Sequence, residues 1–215
     1  MASKLVVWGA SGHARVVAEI IRLRGDYEIV GFLDDFNPRR HNEEFCGSII
    51  IGGREQLGLL GRTGVKHVIL GFGDCRARLA LSELVRLKGL RLATAVHPRA
   101  TIAGDVEIGP GAVVAAGAVV NPASRIGQST IVNTSAVVEH EAVVEDGCHI
   151  GPGARLGARV MVGPGTFVGM GATVNSGVRL GAGAVIGAGA LVLRDVPDEV
   201  VAYGVPARVR AKSDA

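Results

Sequence analysis

His140 and Glu141 stand side by side in the chain, and no other His-Glu pair falls in its second half. A neutral imidazole takes a proton from a reacting group near neutral pH. A neighbouring carboxylate favours the imidazolium form and so strengthens the base. Taken alone, a surface histidine is more often an inert, solvated residue. A second cluster opens the chain: Gly9-Ala10-Ser11-Gly12-His13 follows one apolar run and precedes another. Backbone N–H groups at such a strand-to-helix turn cradle a pyrophosphate, although glycine also closes a tight turn with no ligand. The spacing is not G-x-G-x-x-G, which argues against NAD. Asp34 and Asp35 end the next apolar run. There a carboxylate accepts from a ribose hydroxyl or simply starts an acidic loop. His13 reads either as a phosphate or sugar contact or as a helix-start residue bonding the backbone.

These residues need a scaffold, and the second half of the chain supplies a repetitive one. From Ile102 to Val192 an Ile, Val or Leu recurs every six residues, sixteen times in register. Four places after each stands a small or β-branched residue, from Val106 to Val196. A period of six fits neither an α-helix nor a half-buried strand; it fits a parallel β-helix with aliphatics stacked inside. Nine of the sixteen fourth positions are glycine, as corners with positive φ require. Glu141, Arg159 and Ser135 occupy the same kind of position, so another turn type or strain is expected there. With three faces per turn, residues eighteen apart stack about 4.8 Å from one another. His140 then shares a column with Pro122, Ala158 and Ser176. Met170 shares one with Pro152 and Ala188, and His149 shares one with Ile131 and Phe167.

The first half alternates strand and helix. Strands are expected at 4–8, 28–33, 66–70 and 90–93, helices at 14–24 and 77–88, and an exposed loop at 37–48. That order predicts an α/β unit, a small Rossmann-like parallel sheet. The break falls at His97-Pro98, giving domains 1–96 and 97–215.

Composition narrows the options. The 215 residues are 48% hydrophobic but only 4% aromatic, with 32 glycines, which suits an aliphatic stack. A net charge of +3 suits small polyanions such as nucleotides or coenzyme A, and no Lys/Arg run is dense enough for nucleic acid. Cys46, Cys75 and Cys148 lack metal-ligand spacing, so no metal is expected, and their odd number argues against a disulfide framework. Cys148 falls on an inward repeat position. No leader or membrane-length apolar run is visible, so a cytoplasmic protein without a membrane partner is expected.

The uninterrupted hexads resemble those of the left-handed β-helix acyltransferases. The left hand belongs to the resemblance, since crossover rules favour the right. The Gly9-Ala10-Ser11-Gly12-His13 turn, the Phe32-Leu33-Asp34-Asp35-Phe36 run, Asn133-Thr134-Ser135 with Glu139-His140-Glu141, and Gly204-Val205-Pro206-Ala207 narrow it further. Together they look like the sugar acetyltransferases related to bacillosamine and perosamine N-acetyltransferases and sialic acid O-acetyltransferase. The resemblance implies a homotrimer with acetyl-CoA in the groove between neighbouring β-helices. It implies that the N-terminal domain holds a nucleotide-linked amino sugar reaching that groove. It casts His140 as general base and Glu141 as its partner, with the backbone N–H of Ala158 on the thioester carbonyl. It places His149, Met170 and Ala188 along the coenzyme and Asn133 near the site. Ser11, Gly12, His13, Asp34, Asp35 and Gly73 would hold the nucleotide sugar. His149 also reads as a packing residue. Arg194, Arg208, Arg210 and Lys212 either meet the phosphates of coenzyme A or form a solvated basic tail. The implied activity is N-acetylation of a UDP- or GDP-linked 4-amino-4,6-dideoxyhexose; O-acetylation of a sialic acid is the alternative, and a non-catalytic hexapeptide scaffold a third.

Overall fold

A computed structural model describes residues 2–210. The chain divides into two compact units, Met1–Pro98 and Arg99–Ala215.

In the first unit, strands β1 (Ser3–Trp8), β2 (Tyr27–Leu33), β3 (Glu44–Phe45), β4 (Ser48–Gly52), β5 (His67–Leu70) and β6 (Arg91–Leu92) form one sheet in the order β3-β4-β2-β1-β5-β6. All pairs are parallel except β3 with β4. Helices α1 (Gly12–Arg24), α2 (Leu57–Leu60) and α3 (Cys75–Leu87) connect the strands. The central strand β1 is Leu-Val-Val-Trp over its buried stretch, which suits a strand covered on both faces. Helix α1 buries Ala14, Val17, Ala18, Ile20 and Ile21 at helical spacing. It ends where Gly25 turns to φ 72° and donates its N–H to the Ile21 carbonyl. Val6, Trp8, Leu33, Val68, Leu70 and Val85 belong to one buried cluster. Strand order reverses about β1, so the crevice past the ends of β1, β2 and β5 is a topological switch point, where open α/β sheets hold ligands. Strands β3 and β4 lie in the stretch expected to be loop or given no element. The loop contains a 3₁₀ turn at Pro38–Arg40, and β3 returns antiparallel on β4.

The second unit is the left-handed β-helix. Sixteen two-residue strands run from Thr101–Ile102 to Leu191–Val192. Each pairs in parallel with strands eighteen residues away, as Val119 and Arg155 flank Val137, and Ile131 and Phe167 flank His149. The coil therefore has the eighteen-residue turn expected of it. Inward residues such as Val114, Ile126, Val138, Ile150 and Leu156 are fully buried. The polar inward side chains all find the same kind of partner. Ser124, Thr130, Cys148 and Thr166 donate to the carbonyls of Glu139, Glu145, Gly163 and Gly181, fifteen residues on in each case. Burial then leaves no orphan hydroxyl or thiol among them. All nine corner glycines have positive φ. Ser135, Glu141 and Arg159 adopt the same bend, at φ 55°, 58° and 57°, and so carry the steric strain that glycine avoids. Past the last coil, Val201–Gly204 continues one sheet in parallel, and Ala207–Arg210 turns back on it antiparallel.

Candidate active site and the cavity of the first unit

His140 and Glu141 form the corner that follows the Val137–Val138 strand. Nδ1 of His140 lies 3.1 Å from Oε2 of Glu141. With Nδ1 donating to the carboxylate, Nε2 is the ring nitrogen left with a lone pair. Both side chains are about half exposed, at 49% and 53%. Backbone bonds tie this corner to its neighbours above and below: Glu141 N donates to Pro122 O at 2.9 Å, and Arg159 N donates to His140 O at 3.0 Å. Ala158 sits in the column beside His140, half-buried. Its carbonyl accepts from Gly177 N, while its N–H makes no hydrogen bond among the described residues. A histidine–carboxylate pair and an unengaged amide N–H thus stand one coil apart in the same column.

His149 and Asn133 meet elsewhere on the coil. Nδ2 of Asn133 lies 3.0 Å from Nε2 of His149. The His149 ring packs edge-on against Phe167, with centroids 5.2 Å apart, and is buried. Asn133 also caps its own turn, its Oδ1 accepting from Thr134 N at 2.8 Å. Met170 is 62% exposed, although the repeat buries aliphatics, and Gly189 N donates to its carbonyl. Ala188 is exposed in the same column. A flexible thioether and a small residue standing outward make an apolar wall. At the far end of the coil, Arg194 and Arg208 line a cavity of about 540 Å³, and Arg210 is exposed. Lys212 lies outside the described residues.

The first unit holds a cavity of about 610 Å³ at its switch point. Trp8, Gly9 and Ser11 line it from the first turn, Leu33 to Asn37 from the second, and Phe72 and Leu81 from the third. Gly9 is required sterically: at φ 127° a Cβ there would come within 2.9 Å of the Gly71 carbonyl. Gly12 has open space where a Cβ would stand, and the Ser11 side chain makes no capping bond. No side chain caps the start of α1, and its first turn carries no acidic residue. Ser11, Asp34 and Asp35 line the cavity, whereas Gly12, His13 and Gly73 are not among its lining residues.

The two aspartates do something that sequence reasoning missed. Asp34 is buried and accepts from Phe36 N (3.0 Å), Asn37 N (3.2 Å) and Nη1 of Arg40 (3.1 Å). Arg40 also donates to Ala10 O at 2.9 Å. Asp35 accepts from Nε1 of Trp8 (3.2 Å), from Arg54 N (2.7 Å) and from Nη2 of Arg54 (3.0 Å). Each carboxylate thus holds an arginine on the cavity wall, and most of its acceptor capacity is engaged. Arg40 and Arg54 are the pocket's cations. The one available signal was the Pro38-Arg39-Arg40 run close behind the acidic pair. Phe36, 97% exposed, is displayed at the rim by the turn that Asp34 holds. Glu55 is kept below the ordinary carboxylate range, chiefly by the Gly53 N–H it accepts.

Among the described residues no group of three or more His, Cys, Asp and Glu is placed to hold a metal ion. Nor, among the described residues, is any helix long and apolar enough to cross a membrane. Cys148 is fully buried, as its inward position predicts.

Known proteins share both halves of this arrangement. Residues 4–85 match the family model of the PglD N-terminal domain. Residues 159–194 match the bacterial transferase hexapeptide, six repeats. No curated protein gives a significant match. Among solved structures, a histidine variant of perosamine N-acetyltransferase from Caulobacter crescentus, in complex with CoA and GDP-perosamine, is 37% identical. The match covers 97% of each chain with a TM-score of 0.93. The acetyltransferase domain of PglB from Neisseria gonorrhoeae, in complex with acetyl coenzyme A, is 36% identical over 98% of this chain and 100% of its own, with a TM-score of 0.91. WeeI from Acinetobacter baumannii is 22% identical over 96% of this chain and 99% of its own, with a TM-score of 0.83, and shares the fold.

Proposed function

Because this chain belongs to the left-handed β-helix sugar acetyltransferases and uses acetyl-CoA as cosubstrate, we propose that it N-acetylates a nucleotide-linked amino sugar. The substrate class is a UDP- or GDP-linked 4-amino-4,6-dideoxyhexose. The observation that carries the reading is the His140–Glu141 contact of 3.1 Å on a corner where the Ala158 N–H is unengaged. The neutral sugar amine attacks the thioester carbonyl, forming the C–N bond. His140 takes the amine proton at Nε2, and Glu141 supports the resulting imidazolium through Nδ1. The Ala158 N–H faces the developing oxyanion. The C–S bond then breaks, and the coenzyme A thiolate recovers the proton from His140. No covalent enzyme intermediate is needed, because the amine is already nucleophilic.

The reading gives the nucleotide to the first unit, residues 1–96 in its functional extent, and the coenzyme to the β-helix. Arg40, Arg54 and the start of α1, with Ser11, Gly12 and His13, suit a diphosphate. Asp34 and Asp35 act there mainly by holding the arginines, and Gly73 borders the third turn. Along the coil, His149, Met170 and Ala188 serve the coenzyme side, and Asn133 the substrate. A homotrimer with acetyl-CoA between coils, working in the cytoplasm, completes the reading. The test is thiol release from acetyl-CoA with a panel of UDP-, GDP- and dTDP-linked amino sugars. Turnover on at least one is expected. Turnover on free sialic acid, with none on any nucleotide sugar, would replace this reading with O-acetylation.

A further inference from the structure

Arg159 stands eighteen residues after Glu141, one coil along the same column of corners. Ala123, Glu141, Arg159 and Gly177 follow one another in that column with φ of 59°, 58°, 57° and 74°. Glycine takes this bend freely, as at Gly177, while a residue with a Cβ is strained in it. Strain alone marks nothing, since Ala123 has it too. Corner N–H groups along the coil bond the turn before, as Glu141 N does Pro122 O; what distinguishes Arg159 is that its side chain reaches the dyad too. Its N–H donates to the His140 carbonyl at 3.0 Å. Its Nη1 lies 3.5 Å from Oε2 of Glu141, the same oxygen that faces Nδ1 of His140 at 3.1 Å. The Arg159 side chain is 63% exposed, and an ion pair so wet contributes little to stability. Its effect is geometric. A carboxylate on an exposed corner samples several rotamers, and a second contact on Oε2 favours the one that meets the imidazole.

We propose that Arg159 is a positioning residue for acetyl transfer, holding the Glu141 carboxylate against Nδ1 of His140. The proposal rests on the reading of His140 as the base. Arg159→Gly is a clean test, because it keeps the backbone N–H on His140, removes the guanidinium and relieves the bend. Its kcat is expected to fall about fivefold, within the coupling seen between contacting groups. The KM values for acetyl-CoA and nucleotide sugar should stay unchanged, and thermal unfolding should come no earlier. In a Glu141→Ala background, the same change should have no further effect on kcat. An unchanged kcat in the single variant would overturn the proposal. So would an undiminished loss in the Glu141→Ala background, or a rise confined to the KM for acetyl-CoA, which would mark Arg159 as a coenzyme contact. His140→Ala measured alongside separates the two failures. If that variant keeps its rate, the base assignment itself is wrong. If it collapses while Arg159→Gly does not, only the positioning role is lost.

Discussion

Asp34 and Asp35 direct their oxygens at the protein itself, whereas Glu141 sits half in water and divides one oxygen between His140 and Arg159. The first unit buries Asp34, leaves Asp35 partly covered, and fixes an arginine with each. The β-helix leaves its carboxylate on a strained corner, where only a few contacts hold it. The contrast separates two ways of making a polar site. Buried charges shape a pocket and must be satisfied within it, while exposed ones stay available to a reacting group.

His140→Ala probes the exposed corner most severely. We expect kcat/KM to fall roughly 10²–10⁴-fold with the unfolding midpoint unchanged, checked by thiol release and calorimetry. A near-native rate across the pH range would remove the base from the corner. Next comes a matched pair of carboxylate deletions followed by urea unfolding. Asp34→Ala strands two backbone N–H groups and leaves the Arg40 guanidinium only Ala10 O and Glu43 as partners, and should cost about 2–3 kcal/mol. Glu141→Ala should stay within about 0.5 kcal/mol. Equal losses would erase the distinction drawn here. Within the coil, Gly157→Ala places a Cβ 2.6 Å from Ser176 N, against the next turn, and should cost about 2 kcal/mol. Gly153→Ala meets no atom within 4 Å but must hold φ 66°, for about 1 kcal/mol. The reverse order would mean that stacked turns yield more easily than the bend does.

The smallest effect concerns His67, packed edge-on against Tyr27 in the first unit. Burial, then the charges of Arg91 and Lys66, hold its pKa below the ordinary value. Between that lowered value and about 6.5 the unfolded chain binds the proton that the folded chain refuses. The ring's contribution is therefore full above about pH 6.5 and lost as pH falls through the folded pKa. His67→Gln should flatten this part of the fall in melting temperature below about pH 6.5. An unchanged slope would mean that the ring does not titrate differently on folding.

The coil was the legible half because every residue in it meets the same environment once every six positions. The column of Pro122, His140 and Ala158 followed from counting, and the corners at Ser135, Glu141 and Arg159 stood out as exceptions to glycine. The first unit was legible only in outline. Strand β4 carries Ile49-Ile50-Ile51 but buries Ile50 alone fully and ends at glycine. Strand β3 is two residues in a polar stretch, so neither shows a period. Arg40 and Arg54 escaped notice because their places depend on carboxylates that reach them through the folded sheet, at spacings of six and nineteen residues. Asp34 and Asp35 were found for a ligand role, and the structure shows them bonded first to the protein. No sequence pattern announces that a carboxylate's lone pairs are already taken.

The hairpin at residues 201–210 has a consequence for the molecule's solubility. A stack of parallel strands ends in a row of unpaired amides and carbonyls, which templates the addition of another chain. Here the last parallel strand, Val201–Gly204, is met by Ala207–Arg210 running the other way. The final turn thus offers an incoming coil the wrong polarity, with Arg208 and Arg210 standing on it. On that one of three faces, the parallel stack ends in an antiparallel strand carrying two arginines.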